Sequence, residues 1–344
     1  MTMEPQDSQP IQELELSAPE VPVKLSAPPL RRMLVGGTLL ALSIGSGMAL
    51  VIAYLPAFST GNSQAQIASA ETTQRSDAYA SLELTGKGIY IFDASNDTEL
   101  FKRNPDAQLP LASITKVMLT LVVSEAVSMD STVTISREAV KKGGGGLTRG
   151  EIWRVRDLID YMLIASSNTA AEALKEAAEP RLREKHPEAP AGGAVIWRMN
   201  ALASELGMDA TYFINPSGLD ESLTQAGALG SARDIATLFA YALRTNRELF
   251  AGTSREYATL GPINMAKRDV HNTNDALSSI PHIYMGKTGL TDLAGGNLAI
   301  AFDAGENHPV IIVVLGSTPE GRFTDMEKLV GTTTALLMAQ EQPE

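Results

Sequence analysis

The sequence contains no cysteine and only four histidines among its 344 residues. Without cysteine there is no disulfide framework, no thiol nucleophile and no cysteine-ligated zinc or iron–sulfur centre. The histidines, at positions 186, 271, 282 and 308, include no pair with metal-ligand spacing, which disfavours a histidine-ligated metal enzyme. The sequence therefore predicts no metal and no cofactor, and any catalysis must come from other side chains.

Basic residues are also scarce, because 28 Lys and Arg face 40 Asp and Glu and leave a formal net charge of −12. Nucleic acid binding needs clustered Lys and Arg, so nucleic acid is excluded as the main partner. The hydrophobic content of 44% is ordinary for a globular protein and excludes disorder of the whole chain. The length fits two average domains, or one larger domain with appendages.

The first 78 residues divide into three segments of different composition. Residues 1–32 are polar and hold six of the 18 prolines, which predicts a disordered cytoplasmic tail. Residues 33–55 carry no charge and are long enough to cross the roughly 30 Å hydrocarbon layer of a bilayer. Residues 56–78 are rich in Ser, Thr, Gln and Ala, which predicts a linker.

Arg31 and Arg32 precede the apolar segment 33–55, and the positive-inside rule therefore puts the N-terminus in the cytoplasm. The prediction is a single-pass protein of the inner (cell) membrane, held in the lipid bilayer by residues 33–55, with its main domain outside the cytoplasm. A cleaved signal peptide is the alternative, since Ala68-Ser69-Ala70 resembles a cleavage site. The apolar segment is longer than a usual signal sequence and ends well before that site, which favours an uncleaved anchor.

Strands are predicted near both ends of the remaining chain, at 88–92, 99–102, 283–287, 297–302 and 310–315. Helices are predicted at 113–126, 157–178, 196–206, 231–244 and 323–338. Pro and Gly predict a surface loop at 180–193. This order predicts an α+β domain over residues 79–340, with one antiparallel sheet built from the N- and C-terminal segments and covered by helices.

Ser113 and Lys116 form the first candidate site. Pro110 precedes them and a predicted helix follows, so Lys116 falls one turn after Ser113 on the same face. The positive end of the helix dipole disfavours a charged Lys116, and burial would lower the pKa of this lysine further. A neutral lysine can act as the base that activates a serine. Taken alone, however, this short motif favours a serine helix cap beside a solvated lysine.

Ser166, Ser167 and Asn168 interrupt the helix predicted at 157–178. Serine and asparagine are poor residues in the middle of a helix because their side chains compete for backbone hydrogen bonds. The interruption indicates either a break that turns polar groups into a cleft or an ordinary junction between helices.

Lys287, Thr288 and Gly289 follow the strand predicted at 283–287. A phosphate-binding loop is excluded because Pro281 stands where such a loop needs glycine. An ammonium group beside a hydroxyl can hold a carboxylate, and a glycine next to them would admit a substrate backbone. The alternative is a solvated lysine on an edge strand.

Together the three motifs occur once each in the order Ser-x-x-Lys, Ser-x-Asn and Lys-Thr-Gly, the signature of penicillin-binding proteins and serine β-lactamases. Longer stretches extend the match: PLASITK at 110–116, ASSNTAA at 165–171, NPSGLD at 215–220 and KTGLTDLAGGN at 287–297. The chain thus resembles the low-molecular-weight penicillin-binding proteins, the serine D-Ala-D-Ala carboxypeptidases, over about residues 80–338. Their fold, a penicillin-binding protein/β-lactamase-like α+β domain, agrees with the order of predicted elements.

The resemblance implies a role for each motif. Ser113 would be the nucleophile that attacks the bond between the two terminal D-alanines of a peptidoglycan stem peptide. Lys116 would be the general base, Ser166 would relay a proton to the leaving group, and Asn168 would position Lys116 and the substrate amide. β-Lactams would acylate Ser113 as substrate mimics.

The third motif would bind the substrate. The resemblance implies that Lys287 and Thr288 hold the terminal carboxylate, with Gly289 beside them. The backbone N–H groups of Ser113 and Leu290 would form an oxyanion hole. Leu290 departs from the family pattern, which often has His or Tyr after Lys-Thr-Gly. The predicted N-terminal span would take the place of the C-terminal anchor found in many relatives.

Several alternative functions share the same motifs. A class A β-lactamase needs a Glu-x-x-x-Asn motif, and the nearest candidate, Glu205, is followed four residues later by Asp209. A D,D-endopeptidase and a membrane sensor that β-lactams acylate without turnover remain open. A Ser-His-Asp hydrolase is disfavoured because Gly-x-Ser-x-Gly is absent.

Overall fold

The computed structural model describes residues 78–340. The predicted tail at 1–32, the predicted membrane span at 33–55 and the predicted linker at 56–78, apart from its last residue, lie outside these residues and stay predictions. Within the described residues, no helix has both the length and the hydropathy needed to cross a bilayer.

The strands are β1 (Gly88–Asp93), β2 (Thr98–Arg103), β3 (Leu109–Pro110), β4 (Thr132–Thr134), β5 (Ile152–Arg154), β6 (Tyr212–Phe213), β7 (Ala228–Gly230), β8 (Tyr257–Leu260), β9 (Arg268–His271), β10 (Ile283–Thr291), β11 (Gly295–Asp303) and β12 (Pro309–Ser317). The main sheet is antiparallel throughout, in the order β10-β11-β12-β1-β2. The sheet therefore joins the two ends of the described chain, as the sequence predicts, and β10 lies at one edge.

The helices are α1 (Thr115–Ala126), α2 (Arg137–Gly143), α3 (Val155–Ile164), α4 (Asn168–Lys185), α5 (Ala194–Glu205), α6 (Ala232–Asn246) and α7 (Gly321–Gln340). Two 3₁₀ segments, Ala112–Ile114 and Arg247–Ser254, precede α1 and follow α6. The side chain of Ser231 caps α6, because it accepts a hydrogen bond from the backbone N–H of Asp234 at 3.1 Å.

The central strand β12 is apolar without alternation because it is buried on both faces. Ile311 and Val313 belong to the large core formed with α1 to α6, whereas Ile312 and Val314 belong to a second core that includes residues of α7. Successive side chains of a strand point to opposite faces, so a strand covered on both sides needs apolar residues at every position. The sheet is therefore the middle layer between two hydrophobic cores.

The helix predicted at 157–178 is two helices, because the chain breaks between α3 and α4. Ser166 has a φ of 57°, in the left-handed region that a helix does not tolerate. The side chain of Ser167 then caps α4 by accepting a hydrogen bond from the backbone N–H of Ala170 at 3.2 Å. The polar interruption seen in the sequence is thus a true break.

The surface loop predicted at 180–193 starts later than expected, because α4 continues through Pro180 to Lys185. Proline removes one helical hydrogen bond, but Ala178 and Leu182 on either side of it are fully buried. The burial of these apolar side chains holds the last turns of α4 in place despite the proline. Only the part of the predicted loop after Lys185 lies between helices.

The glycine-rich segment at 143–146 begins at the last residue of α2. Gly143 packs so closely on α4 that a Cβ atom there would lie 2.2 Å from the backbone N of Thr169. Gly144 follows with a φ of 78° and ends the helix in the left-handed conformation that glycine favours. The contact fixes α2 against the start of α4.

We expect Gly143→Ala to destabilise the domain by about 1–3 kcal/mol, because the added methyl group has no space against the backbone of α4. Gly331→Ala in α7 is the matched control, since a Cβ at Gly331 meets no atom within 4 Å. That variant should gain about 0.5–1 kcal/mol from the lower flexibility of alanine. Thermal unfolding of both variants measures the difference, and equal melting temperatures would contradict the close contact.

Candidate active site

The first motif lies where the 3₁₀ segment Ala112–Ile114 runs into α1. Ala112 has a φ of 47°, a left-handed conformation that is strained for a residue with a side chain and that turns the chain before Ser113. Lys116 lies in the first turn of α1 and is fully buried. Its Nζ is 2.6 Å from Oγ of Ser113, so the spacing of the motif does bring the two groups together.

The surroundings of Lys116 define the state of its amine. Besides Ser113, Nζ contacts Oδ1 of Asn168 at 2.8 Å and the backbone oxygen of Ser217 at 3.0 Å. These two oxygens can only accept hydrogen bonds. In its neutral form the amine has two N–H groups and one lone pair, so it can donate to Asn168 and Ser217 and accept from the hydroxyl of Ser113.

Burial also favours the neutral amine. The pKa of Lys116 is lowered well below its usual value, first by loss of contact with water and second by the positive charge of Lys287. The sequence analysis gives two causes for a lowered pKa of Lys116, the helix dipole and burial, and the structure shows the burial. The alternative of a solvated lysine is wrong.

The second motif lies at the break between α3 and α4, opposite Ser113. Asn168 is the first residue of α4, and its side chain reaches Lys116 as described. The left-handed conformation of Ser166 places its Oγ 3.0 Å from Nζ of Lys287. The break thus brings two polar side chains into the cleft, which the sequence left open as one of two possibilities.

The third motif lies on the edge strand β10 and closes the cleft. Lys287 is 1% exposed, so the alternative of a solvated edge lysine is wrong. Its ammonium donates to Oγ of Ser166 and to the backbone oxygen of Thr288, both at 3.0 Å. Burial, followed by the nearby charge of Arg322, lowers the pKa of Lys287 to about 7.

Gly289 and Leu290 continue β10 along the cleft. A Cβ at Gly289 would lie 2.8 Å from the backbone oxygen of Leu111 and 3.2 Å from Cβ of Ala112. Gly289 is therefore needed so that β10 can pack on the 3₁₀ segment, a different reason from the substrate access predicted from the sequence. Leu290 is 50% exposed, so its side chain lies at the surface.

Ser217 is a site residue that the spacing of motifs does not reveal. It contributes a backbone oxygen to Lys116, and its loop is held by Asn215, whose Oδ1 accepts from the backbone N–H of Gly218 at 2.7 Å. Gly218 has a φ of 75°, and a Cβ there would lie 1.9 Å from the backbone oxygen of Ala112. The only signal in the sequence is the family-like stretch at 215–220.

Arg322 of α7 is a second residue that the sequence analysis missed. It is buried behind β10, where Nη1 donates to the backbone oxygen of Gly289 at 2.7 Å. Thr273 also contacts the third motif, with Oγ1 2.6 Å from Oγ1 of Thr288 and its N–H bonded to the backbone oxygen of Ile164 at 3.1 Å. These contacts join the third motif to α7 and to the end of α3.

Asn297 of β11 connects the sheet to the chain before Ser113. Its Nδ2 donates to the backbone oxygens of Pro110 and Leu111, at 2.9 and 3.1 Å, and its Oδ1 accepts from the N–H of Gly316. Asn297 ends the family-like stretch at 287–297, which is the only trace of this role in the sequence.

Glu205, the nearest sequence candidate for a deacylating glutamate, does not take part in the site. It lies at the end of α5 and pairs with Arg198 at 2.6 Å, with 58% of its side chain exposed. The requirement of a class A β-lactamase is therefore not met by this residue.

Serine, lysine, serine, asparagine and a second lysine now surround one cleft between a sheet edge and a group of helices. This is the arrangement of the penicillin-binding protein and β-lactamase class, and comparisons with known proteins agree. The D-alanyl-D-alanine carboxypeptidase model matches residues 72–319. The chain belongs to this family of serine peptidases.

Individual relatives are similar along most of the described chain. The chain is 29% identical to D-alanyl-D-alanine carboxypeptidase DacF of Bacillus subtilis over 252 residues, which are 71% of this chain and 61% of that protein. It is 28% identical to a D-alanyl-D-alanine endopeptidase of Escherichia coli over 262 residues, 70% of this chain and 74% of the relative. The match thus spans about three fifths of the first relative and three quarters of the second.

Solved structures agree with the fold. Penicillin-binding protein D2 of Listeria monocytogenes, in its ampicillin-bound form, has a TM-score of 0.62 and 30% identity, with 73% of this chain and 98% of that chain covered. A DD-transpeptidase of Streptomyces K15 has a TM-score of 0.64 at 22% identity, covering 74% of this chain and 99% of the other, and supports the fold alone.

The lowered pKa of Lys287 predicts a pH-dependent stability. Because this lysine has a pKa of about 7 in the folded state and about 10.4 when unfolded, the unfolded state binds more protons between these values. The wild-type protein should therefore gain stability as the pH rises from 7 towards 10, by at most about 1.4 kcal/mol per pH unit from this group.

Lys287→Met removes this contribution, so the free energy of unfolding of the variant should move up relative to wild type as the pH falls from 9 to 7. Urea unfolding at several pH values measures the difference. Lys142→Met, on the exposed end of α2, is the control and should keep a constant offset from wild type. A constant offset for Lys287→Met would show that its folded-state pKa is not lowered.

Proposed function

We propose that this chain is a serine D-Ala-D-Ala carboxypeptidase that removes the terminal D-Ala from peptidoglycan stem peptides through an acyl-enzyme on Ser113. The observation that carries the proposal is the buried amine of Lys116, whose Nζ lies 2.6 Å from Oγ of Ser113. Family membership and the names of the relatives support the choice of substrate.

Acylation begins when Lys116 takes the proton of Ser113 while Oγ attacks the carbonyl carbon between the two terminal D-alanines. The carbonyl oxygen becomes negative, and the backbone N–H groups of Ser113 and Leu290 are proposed to stabilise it. The C–N bond then breaks, and the ester on Ser113 remains. Asn168 keeps Lys116 in place through its contact at 2.8 Å and offers its remaining amide N–H groups to the substrate.

The leaving amine needs a proton, and Ser166 is proposed to relay it: Ser166 donates its own proton to the amine and takes in exchange the proton that Lys116 accepted from Ser113. Oγ of Ser166 is 3.0 Å from the ammonium of Lys287, so that ammonium stabilises negative charge on the oxygen during the transfer. D-Ala then departs as the free amino acid, and water hydrolyses the ester: its hydroxyl group bonds to the acyl carbon and its other proton restores the hydroxyl of Ser113. β-Lactams would form the same ester as covalent inhibitors.

Lys287 and Thr288 are proposed to bind the terminal carboxylate of the substrate. In the free protein the pKa of Lys287 is about 7 because the ammonium is buried without an anion. A bound carboxylate favours the charged lysine and raises its pKa. Binding of the substrate carboxylate and protonation of Lys287 therefore favour each other.

A D,D-endopeptidase is the second candidate, because two relatives, from Escherichia coli and Pseudomonas aeruginosa, carry that name and are each 28% identical to this chain. The chemical steps are the same, and only the amine that leaves differs. Digestion of cross-linked muropeptides and mass analysis of the products distinguishes the two, since endopeptidase action separates the cross-linked peptides without releasing D-Ala.

Lys116→Arg tests the proposed base. Arginine keeps the positive charge but does not deprotonate near neutral pH, so release of D-Ala from a peptide ending in D-Ala-D-Ala should fall by at least a thousandfold. Labelling of Ser113 by a fluorescent penicillin should slow in parallel. Ser113→Ala is the control for background and should neither release D-Ala nor become labelled.

The wild-type protein must release many D-Ala molecules per molecule of protein. Stoichiometric labelling by penicillin without any release of D-Ala would favour a sensor that is acylated without turnover. A folded Lys116→Arg variant with the wild-type labelling rate would remove Lys116 from the mechanism.

We further propose that residues 33–55 hold the protein in the inner membrane with the catalytic domain outside the cytoplasm. The charge-free segment after Arg31 and Arg32 supports this proposal. The protein should fractionate with membranes, and Ala70→Arg, which would block a signal peptidase, should leave its size and fractionation unchanged. A soluble extracytoplasmic domain beginning near Glu71 in wild type would show that the segment is a cleaved signal.

A further inference from the structure

The guanidinium of Arg322 is buried behind β10 with only one hydrogen bond to the rest of residues 78–340. Its Nη1 donates to the backbone oxygen of Gly289 at 2.7 Å, whereas its buried Nε has no partner. The ring of Phe323 lies beside it, with its centre 4.5 Å from Cζ. A buried polar group without a hydrogen bond lowers stability, so holding two protein segments together does not account for this arginine.

The positive charge of Arg322 is not neutralised by an ion pair. Within the described part of the chain, no carboxylate lies at ion-pair distance from the guanidinium. Burial lowers the pKa of Arg322, and the more distant Asp275 and Glu320 oppose this change. The charge also acts on the cleft, since it is one of the causes of the lowered pKa of Lys287.

The peptide groups of β10 alternate between two directions, towards β11 and towards the free edge of the sheet. The backbone N–H of Gly286 donates to Oγ1 of Thr253 at 3.0 Å, and Thr253 belongs to a 3₁₀ segment outside the sheet. This N–H therefore points to the free edge. Leu290 comes four residues later in the regular part of the strand, so its N–H points to the free edge as well. The C=O of Gly289, in the same peptide group, points the opposite way.

This peptide group lies between the cleft and the guanidinium. On one side, the 3₁₀ segment that carries Ser113 packs on β10, where a Cβ at Gly289 would lie 3.2 Å from Cβ of Ala112. On the other side, the chain of Arg322 passes Gly296 of β11, where a Cβ would lie 3.2 Å from its Cδ. The cation therefore binds the carbonyl end of a peptide group whose N–H end faces the cleft.

We propose that Arg322 is a positioning residue that polarises the peptide group of Gly289 and Leu290, so that the N–H of Leu290 becomes a stronger donor to the oxygen that turns negative during acylation. A hydrogen bond from a cation to the C=O draws electron density away from the N–H of the same amide, and hydrogen bonds in such a chain strengthen one another. The contact also fixes the direction of the N–H. This inference rests on the proposed acyl-enzyme and its oxyanion hole, and adds a source of their electrostatic stabilisation.

Arg322→Met tests the proposal, because methionine keeps an unbranched apolar chain but removes the charge and the donor. The value of kcat for release of D-Ala should fall by about tenfold, less than the hundredfold or more that is lost with a whole oxyanion donor. KM should not rise, because the guanidinium does not contact the substrate. Arg322→Lys keeps a positive charge behind the same peptide group and should lose less of kcat.

Lys328→Met is the matched control. Lys328 lies on the same helix, and its ammonium donates to the backbone oxygen of Glu83 at 2.7 Å, so the variant also removes a bond between a cation of α7 and a distant backbone oxygen. Because this contact involves no residue of the candidate site, kcat and KM should both stay at the wild-type values.

The ester carbonyl of the acyl-enzyme formed with penicillin reports on the oxyanion hole directly. Hydrogen bonds to a C=O group lower its stretching frequency, so the weaker donor in Arg322→Met should move the infrared band to higher frequency. The band of Lys328→Met should not move. The melting temperature of Arg322→Met should not fall, since a buried unpaired cation is replaced by an apolar side chain. Arg322→Gln, neutral but polar, takes its place if Arg322→Met does not fold.

Each other outcome has a distinct meaning. An unchanged kcat and an unchanged infrared band would overturn the proposal, and so would a higher KM at constant kcat, which would assign Arg322 to substrate binding. An equal loss of kcat in Lys328→Met would assign the effect to α7 as a whole and overturn it too. If penicillin acylates Ser113 but no peptide releases D-Ala, the proposed function fails, while the acylation rate and the infrared band still test Arg322. No acylation of wild-type Ser113 would overturn both.

Discussion

The buried amine of Lys116 is the constraint on which the candidate site depends. A lysine without contact to water needs partners for each of its hydrogen-bonding positions, and they come from three separate parts of the chain: Ser113, Asn168 and Ser217. The break between α3 and α4 brings Asn168, and the close approach of Gly218 to the 3₁₀ segment brings the oxygen of Ser217. The chain break and the close approach of Gly218 thus supply hydrogen-bond partners to Nζ of Lys116 in place of water.

Three basic side chains of the site are buried without an anion. Lys116, Lys287 and Arg322 have lowered pKa values, each mainly because of burial. Within the described residues no carboxylate lies within ion-pair distance of any of them. Such an arrangement lowers stability, and proteins commonly keep it only where a ligand of opposite charge uses it. The carboxylate of the proposed substrate is proposed to be that ligand.

The sequence predicts the sheet, most helices and the three motifs because these depend on local patterns: apolar runs, caps and the one-turn offset of Ser113 and Lys116. Its errors have physical causes. The helix through Pro180 persists because buried neighbours outweigh local preference, and Gly289 is required by packing on the 3₁₀ segment. The oxygen of Ser217 is missed because any residue has a backbone carbonyl, and Arg322 is missed because its contact is with the backbone of a distant strand.

The pairing of β1 with β12 decides when the domain can form during synthesis. The two strands come from opposite ends of the described chain, with every residue of the candidate site except Arg322 between them. Contacts between distant segments form slowly, because a long loop must close before any of their energy is gained. In the first hairpin, formed by β1 and β2, the free edge of β1 therefore stays unpaired until β12 has been synthesised. A chain that is cut short before β12 lacks the centre of its sheet, the strand that joins β10 and β11 to β1 and β2.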